Sequence, residues 1–272
     1  MSVWMRLALG LACAVCAAGP GSSELRAQGR PDTTKAGGEP TAPNLAPTAG
    51  WPSPVDDREV HTFLVADVLE YRPEPGNSDF RWDFEGWHGG DYDRLWFKSE
   101  GEQNTALKAD YDIDLQVLYG RFVWKYYDVQ VGARLETQSF REENVTRGQA
   151  VIGLEGLVPY SYEVESALFI DQDANISARL SATKELLMTQ RLILQPRVET
   201  ALAVQRVERF TTGSGLNNLE LGLRLRYEIR RKFAPYVGVS FEWSFFDTAD
   251  LVREQGGDPS QVRFLAGLRM WR

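Results

Sequence analysis

Carboxylates set two residues apart are the clearest chemical pattern in the chain. Asp110, Asp112 and Asp114 form one ladder, and Glu163 and Glu165 form a second. In an extended strand successive side chains point to opposite faces, so each ladder projects its carboxylates from a single face. Rings of Asp and Glu favour cations, which makes such a face a candidate cation path. Softer donors for a transition metal are few: His61, His88, Met188 and Met270. Met270 continues an alternating apolar set with Val262, Phe264, Ala266 and Leu268, which assigns it to a greasy face. His88 precedes Gly89-Gly90 in an expected turn, Met188 follows Leu186 into another, and His61 stands where the first strand begins. Arg191, Arg197, Arg224 and Arg226 share the polar face with the acids. Charges buried singly are costly, so ion pairs across an enclosed space are expected.

The elements that must hold these residues are strands. Leu107, Ala109, Tyr111, Ile113, Leu115, Val117 and Tyr119 alternate with Lys108, Asp110, Asp112, Asp114, Gln116 and Leu118. Leu219, Leu221, Leu223, Leu225, Tyr227 and Ile229 alternate in the same way with Glu220, Gly222, Arg224, Arg226, Glu228 and Arg230. A helix would mix these sets; a strand separates them. Repeats of the pattern from residue 58 onward predict about twelve strands. A soluble barrel would turn the greasy face inward, whereas a membrane barrel turns it outward and keeps a polar lumen. The membrane arrangement fits the strand lengths of roughly ten residues or more. It also fits the aromatic residues near strand ends, among them Trp87, Trp124, Tyr126, Tyr160 and Tyr162. Short turns alternate with longer polar loops at Arg141–Arg147, Arg206–Asn217 and Asp247–Ser260. The predicted fold is therefore all-β, a transmembrane antiparallel up-and-down β-barrel. Pro196, which cannot donate to a ladder, is expected to mark a bulge, and Pro235 to begin a strand.

Composition agrees with export. Arg6, the apolar run Leu7 to Ala18 and the small residues after it have the order of a secretory signal peptide, assigned to residues 1–27. Residues 28–57 are rich in Pro, Gly, Ala and Thr and are expected to form a flexible periplasmic segment ahead of a barrel at 58–272. Both cysteines, Cys13 and Cys16, fall in the leader, so disulfides and thiolate chemistry are excluded from the mature chain. Beyond residue 20 no stretch approaches the roughly 18 apolar residues of a membrane helix. The net charge is −8 without a basic block, which argues against nucleic acid as a partner. Catalysis is not expected. A barrel esterase needs a His with a Ser two residues on, but His61 is followed by Thr62-Phe63 and His88 by Gly89-Gly90.

Several longer words carry a family resemblance. They are Thr62-Phe63-Leu64, Leu69-Glu70-Tyr71-Arg72, the run Gly86-Trp87-His88-Gly89-Gly90-Asp91-Tyr92, residues 186–197 (LLMTQRLILQPR), 213–230 (GSGLNNLELGLRLRYEIR) and 233–240 (FAPYVGVS). Together these resemble the copper resistance protein B (CopB/PcoB) outer-membrane proteins, from Val60 to about Gly267. The resemblance implies a role in copper tolerance at the bacterial outer membrane, with copper ions as cargo or ligand, outer-membrane lipid around the barrel, and periplasmic copper-handling proteins as partners. Members of the family often carry a Met- and His-rich segment before the barrel, but residues 19–57 here contain neither residue. The metal candidates are then His61, His88 and Met188, and the lumen cation path is Asp110, Asp112, Asp114, Glu163 and Glu165. A general small-solute porin and a plugged structural barrel are the alternative functions.

Overall fold

Alternation becomes strand along nearly the whole of the barrel region. The computed structural model describes residues 59–74, 78–104, 110–140 and 143–272. The expected signal peptide and the 28–57 segment lie outside the described residues, as does the 105–109 start of the first alternating run. The strands are β1 (His61–Arg72), β2 (Asp79–Gly89), β3 (Asp93–Asn104), β4 (Tyr111–Trp124), β5 (Tyr127–Phe140) and β6 (Glu143–Val158). They continue as β7 (Tyr162–Asp171), β8 (Ile176–Lys184), the two-residue β9 (Leu186–Leu187), β10 (Leu192–Ala203), β11 (Gly215–Tyr227), β12 (Phe233–Ser244) and β13 (Ser260–Trp271). One helix, α1 (Phe246–Glu254), interrupts the connection between β12 and β13.

Every pairing is antiparallel between neighbours, and β13 returns to pair with β1. Because β10 pairs with both β8 and β9 on one side and with β11 on the other, β8 and β9 are two pieces of one wall position. The result is a closed, twelve-stranded up-and-down barrel in which each wall position pairs with the next on both sides. Its faces are those of a membrane protein. Leu64, Phe97, Leu115, Val117, Val131, Ile152, Val237 and Phe264 are exposed, while Glu70, Arg72, Lys98, Glu136, Arg224 and Arg226 are buried.

Two local expectations need correction. Residues 143–147, expected in a loop, are strand: β5 and β6 stay paired from Tyr127↔Gly156 to Phe140↔Glu143. The polar side chains that suggested a loop bond across the ladder instead, Thr137 to Thr146 at 3.1 Å and Arg147 Nε to Glu136 at 2.9 Å. Nor does Pro196 insert a bulge. Leu194 pairs with Leu186 and Arg197 with Thr183, a single register. The proline, lacking an N–H, instead coincides with the break between β8 and β9. Pro235 does lie near a strand start, as the third residue of β12.

A short row of apolar side chains crosses the inner wall. Trp87, Trp96, Leu118, Gly132, Val151 and Phe169 are successive lateral partners from β2 to β7. Trp96, Leu118, Val151 and Phe169 are buried together. Gly132 sits in this row because a Cβ there would lie 2.1 Å from the Val117 carbonyl oxygen.

At the end of the barrel opposite His61 and Trp271, the 204–214 connection folds onto α1. Thr248 Oγ1 accepts from the Gly213 N–H at 2.9 Å, and Gln255 donates to Thr211 at 2.9 Å. Ser214 Oγ donates to Asp247 at 2.6 Å. Phe210 is buried beneath the Arg147 guanidinium, 4.0 Å from the ring centroid.

Two outcomes follow. Gly132→Val should force β4 and β5 apart and lower stability by about 1–3 kcal/mol, as overpacking does, read as a reduced urea midpoint of the folded barrel. The hydrogen bonds from Ser214 hold the exposed Asp247 carboxyl below the ordinary aspartate value. A depressed carboxyl stabilises its contact above the unfolded value and loses it as pH falls through the folded one. A spin label on a cysteine replacing Arg209 should therefore become more mobile only on acidification below the aspartate range; in Asp247→Ala it should be mobile at every pH.

Candidate functional site: the charged lumen

The register turns single acidic residues into rows. Asp83, Glu100, Asp114 and Glu136 are lateral neighbours from β2 to β5. On the facing wall Glu199, Glu220 and Glu242 are lateral neighbours on β10, β11 and β12. Carboxylates directly opposite each other on adjacent strands repel. Arginines from elsewhere on the wall make the arrangement tenable.

Three of them span the lumen. Arg81 on β2 reaches Glu220 at 2.9 Å and Glu199 at 3.4 Å. Arg179 on β8 reaches Glu100 at 2.8 Å and Glu199 at 3.8 Å. Arg197 on β10 bonds Glu199 at 3.2 Å and approaches Asp83 at 3.8 Å. Toward the loop end, Glu70 is fully buried between Arg224, at 2.6 Å, and Arg72, at 3.1 Å. Arg134 joins Asp114, at 2.5 Å, to Glu136, at 3.5 Å, and rests on the Phe169 ring at 4.3 Å. Toward the turn end, Glu155 and Glu165 are direct cross-strand partners. The buried Lys98 ammonium binds both. Salt bridges thus link most of the lumen charges, and a small cavity of about 20 Å³ remains among Glu100, Gln116, Glu165, Arg179, Arg197 and Glu199.

Carboxylates nevertheless outnumber cationic groups. Among the described residues no ion pair within 4 Å holds Glu85, Asp112, Glu163 or Glu242, all of which share the inner face by register. Asp112 accepts a hydrogen bond from Gln138 at 3.0 Å. A wider cavity of about 280 Å³ opens at the turn end, lined in part by Arg94, Trp96, Asp128, Glu155 and Glu163.

The residues singled out from sequence are distributed as follows. Asp112, Asp114, Glu163 and Glu165 all line the lumen. Asp110 stands at the loop end, where its carbonyl accepts from the Asn104 N–H at 3.0 Å. His61 and His88 occur at the open end of the β1–β2 hairpin, which is the turn end of the barrel, but on opposite faces, because Thr62, not His61, is the partner of His88. Thr62 Oγ1 and His88 Nδ1 lie 2.8 Å apart, and both residues are exposed. Met188 is exposed in the turn between β9 and β10. The two imidazoles and this thioether therefore form no common cluster. Among the described residues no group of three His, Cys, Asp or Glu side chains is arranged to hold a metal ion. Sequence reasoning followed acids along one strand and missed the rows that run across strands; strand register is the signal that would have found them.

An apolar exterior, a closed antiparallel wall and a charged interior define an outer-membrane β-barrel. The described fold is similar to that of the NanC porin, with a TM-score of 0.51 over 77% of this chain and 99% of that one, at 12% identity. The family model for copper resistance protein B precursor (CopB) matches residues 60–272. Copper resistance protein B of Escherichia coli is 38% identical over 217 residues, covering 80% of this chain and 71% of that protein. The copper resistance protein B homolog of Pseudomonas syringae pv. tomato is 40% identical over 217 residues, covering 80% and 72%. The chain belongs to the copper resistance protein B family and is a protein of the bacterial outer membrane.

Removing the Glu70 carboxylate would leave two buried guanidiniums without their anion. Glu70→Ala should lower stability by about 3–5 kcal/mol, and Glu70→Gln by less, in urea unfolding followed by tryptophan fluorescence.

Proposed function

We propose that this barrel passes copper ions across the outer membrane, using the lumen carboxylates as a series of weak oxygen-donor stations and performing no catalysis. The observation that carries the reading is the set of inward carboxylates with no ion-pair partner, Glu85, Asp112, Glu163 and Glu242, distributed from the loop end to the turn end. Passage requires sites that attract an ion yet release it, and spaced single carboxylates meet that need better than a closed cage. Oxygen donors with few soft ligands suit the cupric ion, which binds most N and O sites more tightly than other divalent first-row metals. His61, on the inner face at the turn end, is the borderline donor placed to receive the ion there. His88, with Thr62, faces outward and takes no part in this path.

The arginines set the selectivity. Arg81, Arg179 and Arg197 leave little open space between the two acidic rows, so large neutral solutes are excluded while a small cation can exchange with a guanidinium for a carboxylate. The density of these ion pairs also supports a second reading, a plugged barrel whose lumen is purely structural.

The test is flux into liposomes holding a copper-sensitive dye. Glu85→Gln/Glu163→Gln/Glu242→Gln should reduce cupric flux by about tenfold or more, the loss expected when several attractive charges of about 1 kcal/mol each are removed, with folding checked by circular dichroism. Equal flux through wild type and variant would refute carboxylate-guided passage. No flux through either, for copper or for small solutes, would favour the plug.

A further inference from the structure

The turn end of the barrel carries charge of one sign in one sector. The turn between β9 and β10 contributes Arg191, which stands exposed ahead of β10 rather than on the inner face expected from its sequence, and the turn between β11 and β12 contributes Arg230, Arg231 and Lys232. These turns are adjacent, and the Glu228 N–H donates to the Arg191 carbonyl at 2.8 Å. All four cations are exposed, and among the described residues no ion pair holds any of them. Glu228, the acid of the two turns, is directed inward with Arg226, 4.0 Å away. The rest of the turn end differs. Arg121 lies 3.9 Å from Asp93, beside Asp91, and the β6–β7 turn, residues 159–161, has no charge.

The same sector is apolar just beneath its charges. Met188, Tyr227 and Ile229 are exposed there. Arg230 bridges to Phe233, which pairs with Met270, and Met270 pairs with Ala66, so the arginine shares their outward face. Cations directly above a lipid-facing apolar surface can lay their stems along it and hold their heads at the headgroup level. Short turns of such barrels face the periplasm, where the leaflet is phospholipid. We infer that Arg191, Arg230, Arg231 and Lys232 form a binding site for the headgroup of an anionic phospholipid of the periplasm-facing leaflet. The charge complementarity supplies selectivity, and continuity with the lipid-facing wall places the acyl chains against Tyr227, Ile229 and Phe233.

Each basic side chain at a membrane surface favours anionic lipid by about fivefold. The experiment uses the full chain in detergent micelles, titrated with phosphatidylglycerol or with phosphatidylcholine, the retained lipid being counted by native mass spectrometry. Wild type should retain phosphatidylglycerol on the order of tenfold or more better than phosphatidylcholine. Arg191→Gln/Arg230→Gln/Arg231→Gln/Lys232→Gln should lose that preference, and Arg121→Gln/Lys125→Gln, which removes the same kind of charge elsewhere on the rim, should keep it. Equal retention of the two lipids by wild type overturns the site whether or not a variant folds. An equal loss of preference in both variants also overturns it, by reducing the effect to net charge.

Discussion

Like charges forced into lateral contact govern this molecule. Antiparallel register sets Asp83 beside Glu100, Glu100 beside Asp114 and Asp114 beside Glu136, and it sets Glu199 and Glu242 on either side of Glu220. Left alone, such rows would push the strands apart. Guanidiniums reaching across the lumen convert that repulsion into cross-bracing, so opposite walls are tied by the groups that would otherwise separate them. The shape of the barrel follows from backbone hydrogen bonds, but its resistance to collapse or splaying depends on these charges being matched.

The bracing is uneven, and this affects how the lumen can work. On the β3–β7 side Arg134 lies over Phe169 and Lys98 faces Trp96, so charge is seated on an apolar row. On the β10–β13 side the charges meet each other, as Arg224 meets Glu70 and Arg226 meets Glu185. Low-polarity surface strengthens the electrostatics of whatever lies against it. Charge on the first side is therefore seated against an apolar row, whereas the carboxylates without an ion pair among the described residues, Glu85, Asp112, Glu163 and Glu242, are dispersed over β2, β4, β7 and β12.

Much of the fold was legible in the sequence because period-two alternation is a local property. The split between Leu115 or Val117 and Asp114 or Gln116 assigns a face to each residue without knowledge of any neighbour. The lumen was legible only by half. That Asp112, Asp114, Glu163 and Glu165 share the polar face follows from spacing; that Asp114 is claimed by Arg134 and Glu165 by Lys98 depends on register, which spacing does not encode. The same gap explains the two histidines. They come to one end of one hairpin, as their positions suggest, but a one-residue offset in pairing sends them to opposite faces. Polar content misled at 144–147, where side chains that bond across a ladder look like those of a solvated loop.

The break opposite Pro196 has a mechanical consequence. Between β8 and β9 the wall loses part of its backbone zipper at Glu185, and this same side chain extends inward to Arg226 at 2.6 Å and Arg269 at 2.8 Å. Side-chain charges thus tie this position to β11 and β13, beyond the strand whose ladder is interrupted there. Main-chain bonds within a sheet are indifferent to the ions around them, whereas a partly exposed ion pair weakens as ionic strength rises. The tie at the β8–β9 break therefore weakens as salt rises on the turn-end side, while the hydrogen-bonded ladders on either side do not.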